Sequence, residues 1–392
     1  MIAPWALNKS RLSSSTYKKL YTPIRSCLSG ITPLTSRGDK PLTFTLKHQL
    51  EMLVFYHLQG YESGVELLQA MEEDDFAREH IAPKEGIKKS AFYEAISERG
   101  LVQLQEIFQS LYAQTKNIVP KKYAKLGELV AVDGSLLDAT LSMYWAEYRE
   151  GSNKFKAHVG FNVNQGIPQK LHLTEGKGGE RPFVGKIVNP GQTAILDRGY
   201  QDHSGFDQWH EDGRHFVCRI KKHTVKELIT LERFEIDSDS FIFFDDTVCL
   251  VRAISPIGRG DSKTQEPLRM VGYRVGGITY HVVTDRMDLT AEEVTTVYKL
   301  RWEIEKFFAW WKKRLNVYHL ISRSTYGVMV QIFAGLITYL LMAIYCAEEH
   351  GEWVNMKRVR ELRNTIQNEL CSSQMETTNF NKQKRKQLHA RT

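Results

Sequence analysis

Cysteine is scarce in this chain. The 392 residues hold five, Cys27, Cys218, Cys249, Cys346 and Cys371, odd in number and far apart, with no CxxC and no Cys/His cluster. That spacing argues against a structural zinc site and a disulfide framework, and it fits a reducing cytoplasm. The N-terminus lacks the apolar segment of a secretory signal. Residues 1 to 38 also lack acids and are rich in Ser, Arg and Lys, a composition that an organelle transit peptide would share as the minor alternative. No internal repeat is found. Long apolar runs are lacking too, except for YGVMVQIFAGLITYLLMAIYC at 326 to 346. Its length could span a bilayer. Gln331 and Thr338 interrupt it and no second span accompanies it, so a buried core helix is expected and no membrane partner.

What is present is an ordinary globular composition, 42% hydrophobic and 25% charged, with length for two or three domains. The net charge of +7 is unevenly spread: residues 1 to 40 carry +6, residues 376 to 392 carry +4, and the remaining 335 residues carry −3. Two basic arms suit contacts with nucleic-acid phosphates, and equally plain solvated tails.

Along the chain, apolar residues at three- and four-residue steps predict short helices over 45 to 115. Within them GIKKSAFYEAISERG predicts a helix capped by Ser90 and ending at Gly100, preceded by Lys88 and Lys89. This suits either the second helix of a helix-turn-helix, whose N-terminus meets the major groove, or a plain three-helix bundle. VPKKY, 119 to 123, reads as a linker. The period then shortens. ELVAVDGSLLDAT, KFKAHVGFNV and IPQKLHLTEG predict a three-strand meander with a turn at Asn164-Gln165-Gly166, and TAILDRGY predicts a buried strand ending in an acid. HFVCRIKK, SFIFFDDTVCLVRAI, LRMVGYRV and ITYHVVTD predict a further antiparallel unit. Helical periodicity returns at Leu289.

Asp133 in LVAVDGS and Asp197 in TAILDRGY are expected at the carboxyl ends of apolar strands, at a sheet rim where ligands bind in α/β folds. A third acid lies in YKLRWEIEKFFAWWKK, 298 to 313. As one helix at about 100° per residue, this segment would put Tyr298, Arg301, Glu305 and Lys312 within roughly 60° of arc. Beside them runs an apolar stripe of Leu300, Ile304, Phe307, Phe308 and Trp311. Taken alone, this segment reads more simply as an amphipathic helix docked on a core, with an Arg301–Glu305 pair. Three fixed carboxylates have a divalent metal site as an economical common cause, because hard oxygen ligands suit Mg²⁺ or Mn²⁺.

DGS at Asp133, LDRGY at Asp197 and Tyr298-x2-Arg301-x3-Glu305-x6-Lys312 resemble the signature of DDE transposases of the bacterial IS-four family, over about 128 to 345. The resemblance implies an α/β protein: an RNase H-like mixed sheet with flanking helices, a β-rich insertion between the second and third acids, and an N-terminal helical domain. The expected parts are a basic arm and helical DNA-binding domain (1–120), a catalytic core in two pieces (121–205 and 287–350), a β-strand insertion (206–286) and a basic tail (351–392). Asp133, Asp197 and Glu305 would be catalytic and hold two Mg²⁺ or Mn²⁺ ions. Tyr298, Arg301 and Lys312 would grip phosphates, with Lys156, Arg198, Lys88 and Lys89 as further DNA contacts. The implied substrate is double-stranded DNA, transposon ends and target, cut and pasted through a hairpin by a homodimer.

An aromatic residue of the insertion would hold a flipped base, and Phe241, Phe243, Phe244, Tyr273 and Tyr280 are available for it. His158 reads as a hydrogen-bonded strand residue, Tyr200 as a DNA contact or a carboxylate holder. Some members of the resembled family carry an extra acid in the approach to the second Asp, where this chain has Gly178-Gly179-Glu180-Arg181-Pro182, a segment with no assigned part. The competing function is a DNA-binding protein with a silent site, a repressor or domesticated transposase.

Overall fold

A computed structural model describes residues 16–35, 41–74, 77–78, 81–233, 240–251, 263–314, 319–366 and 368–369. Most of the N-terminal arm, the 376–392 tail and Cys371 lie outside the described residues. The chain divides into two compact units, one of residues 121–309 and one of residues 1–120 with 310–392.

The second of these is helical where described. Thr16–Leu28, Leu46–Gln59, Gly64–Glu73, Lys89–Glu98 and Leu101–Ile118 are joined by Thr325–His350 and by a helix over 356–366. Thr325–His350 is long and apolar enough to cross a membrane, yet 94% of its most apolar stretch is buried inside the protein. Its polar interruptions are satisfied there. The Gln331 side chain accepts from Ile321 N (2.8 Å) and donates to the His319 carbonyl (2.7 Å), and Thr338 donates to the Ala334 carbonyl (2.8 Å). A buried polar group needs such partners. Ser90 is not a cap: the helix begins at Lys89 with Lys88 in the cap position and no side-chain cap bond. It stops at Glu98, and Gly100, at φ 84°, precedes the next helix.

In residues 121–309, ten strands among the described residues form one mixed sheet. They are β1 (Glu128–Ala139), β2 (Glu147–Arg149), β3 (Ser152–Asn162), β4 (Ile167–Glu175), β5 (Gln192–Leu196), β6 (His215–Arg219), β7 (Val225–Arg233), β8 (Ile242–Val251), β9 (Leu268–Val275) and β10 (Ile278–Thr284). Their order is β2-β3-β1-β5-β6-β10-β9-β8-β7, with β4 also paired to β3. β3 is antiparallel to both β1 and β4, whereas β1, β5 and β6 are parallel. This mixed α/β architecture is consistent with an RNase H-like core. Beyond β5 the same sheet continues: His203–Glu211 crosses from β5 to the parallel β6, and β10 to β7 follow antiparallel. That helix is clamped by aromatic packing, with Phe206 stacked on Phe216 of β6 at 4.5 Å and Trp209 edge-on to it.

Two expectations need correction. Asp133 is not at a strand end, because β1 continues to Ala139 in pairing with β3. It stands instead just past the last residue that β1 pairs with β5, Ala131 opposite Ile195. Nor is 298–313 one helix. Ala291–Lys299 and Trp302–Arg314 are separated by a turn at Leu300 and Arg301.

Candidate active site

The parallel register of β1 and β5 aligns the two aspartates. Ala131 pairs with Ile195, and two residues further along each chain stand Asp133 and Asp197. Apolar side chains anchor both strands, since Leu129 to Val132 and Ala194 to Leu196 are all buried. Each carboxylate is therefore fixed by a rigid floor.

The third acid arrives through the turn at 300–301. Arg301 N bonds to the Tyr298 carbonyl at 3.1 Å and Glu303 N to the Leu300 carbonyl at 3.0 Å, three-residue steps of 3₁₀ type. Such steps eclipse side chains at i and i+3, so Tyr298 and Arg301 still share a face. Glu305 follows one helical turn later. The apolar stripe is buried as expected, Leu300, Ile304, Phe307, Phe308 and Trp311 alike. Phe307 docks on Phe161 of β3, ring centres 5.1 Å apart.

Arg301 brings these pieces together. Its Nη2 donates to Glu305 Oε1 at 2.5 Å, and its Nη1 lies 3.9 Å from Asp133 Oδ2. Burial opposes its charge, but the bond to Glu305 and the fields of Tyr298, Glu305 and Asp197 more than offset this and raise its pKa. All three acids thus act on one guanidinium. The buried Tyr298 hydroxyl donates to Asp197 Oδ1 at 3.3 Å, and burial, reinforced by Asp197, pushes its pKa up to about 12. Asp133 accepts from the Gly134 N–H at 2.8 Å. Burial nevertheless pushes its carboxyl up to about 6, against the lowering effect of that bond and Arg301, with Glu180 and Glu305 adding to the rise.

Among the described residues, no three His, Cys, Asp or Glu side chains are gathered closely enough to hold a metal ion. The donor chemistry fits one all the same: the available ligands are carboxylate oxygens, and a cation, Arg301, already stands among them.

The other residues singled out in sequence are placed variously. Lys156, on β3, pairs with Glu180 at 3.1 Å and donates to the Gly178 carbonyl at 3.0 Å. Arg198 is exposed in the turn after Asp197, and Tyr200 is buried there, its hydroxyl without a hydrogen-bond partner among the described residues. Lys88 and Lys89 are exposed at a helix start in the helical unit, and Lys312, half-buried, also belongs to that unit. His158 is buried, stacked on Phe183 at 4.1 Å and bonded through Nε2 to the Thr174 hydroxyl at 2.9 Å.

Next to the acids lies a cavity of about 450 Å³ whose lining includes Tyr298, Arg301, Trp302, Arg219, Tyr273 and Tyr280. Tyr273 and Tyr280 are stacked 5.0 Å apart, and the Arg219 guanidinium lies 4.6 Å from the Tyr280 ring centre. Of the five candidate aromatics, Phe241, Tyr273 and Tyr280 line this cavity; Phe243 and Phe244 are not among its lining residues. Sequence reasoning did not single out Arg219 or Trp302, and it left the segment that holds Glu180 without a role. Trp302 stood inside the quoted motif and is 59% exposed, whereas Arg219 on β6 carried no local signal.

Residues 125–341 match the family described as "Transposase DDE domain". The chain is 29% identical over 203 residues to a putative transposase, y4zB, of Sinorhizobium fredii, covering 51% of this chain and 56% of that one. It is 28% identical over 200 residues to the probable transposase for insertion sequence element IS5377 of Geobacillus stearothermophilus, covering 50% and 51%. With the putative transposase for insertion sequence element IS4SA of Synechocystis it shares 23% identity over 292 residues, 71% and 78% of the two chains. The matches thus span about half the length of the first two relatives.

Proposed function

Because this chain belongs to the transposase DDE-domain family, we propose that it cuts and rejoins DNA at the terminal inverted repeats of an insertion sequence. The reading is that of a cut-and-paste transposase of the IS-four type. The observation that carries it is the convergence of Asp133, Asp197 and Glu305 on Arg301. Asp133, Asp197 and Glu305 would hold two Mg²⁺ or Mn²⁺ ions, which when bound activate a water or 3′-hydroxyl and stabilise the leaving oxygen. The chain's own contribution is positioning. Strands β1 and β5 fix two carboxylates level with one another, and the 3₁₀ turn carries Glu305 to them.

Arg301 has a second use in this reading. Its fork matches a phosphate as well as a carboxylate, so it neutralises the acids in the free protein and turns to the DNA backbone when ions take its place. Tyr298 grips a phosphate through its hydroxyl, with Lys312, Lys156, Arg198, Lys88 and Lys89 as further phosphate contacts. In a hairpin route one base must leave the stack. The cavity beside Tyr298 offers a stacked tyrosine pair and an arginine to receive it. Both ends have to be cut together, which calls for a homodimer on paired ends.

The test is cleavage of a labelled duplex carrying the element's terminal repeat, with Mg²⁺, Mn²⁺ or EDTA, for the wild type and Glu305→Ala. Metal-dependent nicking that falls to background in Glu305→Ala, while DNA binding persists, supports the reading. Binding without any cleavage by the wild type would instead make this a silent DNA-binding protein.

A further inference from the structure

The segment 178–183 carries an acid to the same centre. Glu180 Oε1 lies 2.8 Å from where a Cβ on Gly134 would stand, and Oε2 lies 4.0 Å from the corresponding point on Gly199. Gly134 directly follows Asp133, and Gly199 comes two residues after Asp197. The Glu180 carboxylate thus lies between Gly134, inside β1, and the turn that follows Asp197. Next to it, Arg181 Nε holds the Gly199 carbonyl at 3.2 Å, pinning the segment to the second turn.

Two further observations say that this acid faces a ligand. Its counter-ion is internal: the Lys156 side chain, 14% exposed, reaches Glu180 at 3.1 Å and is tied to the Gly178 carbonyl. A half-buried lysine bound to one acid beside other carboxylates helps to balance the charge of such a cluster when no ion is bound. The second is Tyr200, 1% exposed, whose hydroxyl has no hydrogen-bond partner among the described residues. Burial raises the pKa of that hydroxyl, and the charges of Glu180, Asp133 and Asp197 raise it further, so a buried donor without a partner stands within reach of all three acids.

We propose that Glu180 is a positioning residue of the metal centre, a fourth carboxylate that accepts hydrogen bonds from the water an ion carries at Asp133, with Lys156 as its counter-ion when no ion is bound. Mg²⁺ and Mn²⁺ keep several waters, and each such water needs an acceptor to be oriented. This inference rests on the proposed transposase reading. It adds a residue to that site and gives Gly134 a physical reason, since a methyl group there would displace the carboxylate.

The experiment is Mn²⁺ binding to the full chain without DNA, read by electron paramagnetic resonance of the free ion and by calorimetry, with thermal unfolding in EDTA alongside. Wild type, Glu305→Ala, Glu180→Gln, Gly134→Ala, the double variant of the last two, Lys156→Met and the exposed control Glu211→Gln are compared. Glu180→Gln should weaken Mn²⁺ binding by about 10- to 100-fold, the usual effect of losing an outer-sphere partner. Gly134→Ala should do the same, and the double variant should be no worse than either, because both remove one carboxylate. Lys156→Met should bind Mn²⁺ severalfold more tightly, and Glu211→Gln should match the wild type. If Glu180→Gln binds Mn²⁺ like the wild type while unfolding at a lower temperature, Glu180 only braces its loop and the inference is overturned. If Mn²⁺ binding is absent in the wild type, or unaffected in Glu305→Ala, the metal-centre reading itself falls and takes this one with it.

Discussion

At the scale of single residues, the site is built by placing charges where they cannot all be satisfied at once. Arg301 serves Glu305 at hydrogen-bond distance and Asp133 at 3.9 Å, so one guanidinium answers for several acids. His158 shows a different solution close by, on the strand that pairs with β1. Burial, with help from Lys156 and His172, pushes its imidazole down to about 4, so the folded chain holds it neutral. A histidine whose folded value lies below its usual 6.5 contributes stability that is complete above 6.5 and is lost as pH falls toward 4. Between those limits the slope should approach about 1.4 kcal/mol per pH unit for this group. His158→Gln should flatten the pH dependence of urea unfolding between pH 6.5 and 4. An unchanged slope in that variant would mean that His158 is not held neutral by the fold.

Between elements, tolerance is set by close approaches of backbone. Gly160 on β3 faces the short helical turn Val184–Ile187, and a Cβ there would come within 2.3 Å of the Ile187 side chain. Gly160→Ala should therefore cost about 1–3 kcal/mol in urea unfolding, as overpacked cores do. Combined with Ile187→Ala, the loss should be well below the sum of the two single losses. Strict additivity would show that strand and turn do not meet this way. Strands with one or two apolar faces were legible from their pattern alone, β1, β3, β4 and β5 among them. β7 was not, because Val225, Lys226, Glu227 and Leu228 are exposed at the sheet's edge and leave no alternation to read. The break at Leu300 and Arg301 was equally hidden. No Gly or Pro marks it, and its 3₁₀ bonds preserve the apolar stripe that made the segment look continuous. Asp133, Asp197 and the Tyr298–Glu305 row could be picked out as motifs. Glu180 stood in a quoted segment without a role, since its approach to Gly134 depends on a loop contact that no local spacing records.

For the whole molecule, the distribution of charge matters more than its sum. The 376–392 tail carries five basic residues and one acid, in a chain whose 335 central residues sum to −3. In the proposed transposase reading the acids approach a polyanion, so the protein needs cations outside the acid cluster to hold DNA there. Each phosphate neutralised by a basic side chain steepens the dependence of log K on log salt by about 0.9. If the tail contacts DNA through four or five phosphates, its deletion after residue 375 should make the salt slope shallower by about 3.6 to 4.5, on any duplex sequence, because backbone contact carries no base information. Binding measured by fluorescence anisotropy between about 50 and 200 mM salt covers the range in which such a change is large. A deletion variant with the wild-type slope would assign the tail to solvent. The phosphate grip would then fall to Arg301, Lys312 and the other cations of the folded units, and Arg301→Ala should in that case take the larger share of the slope.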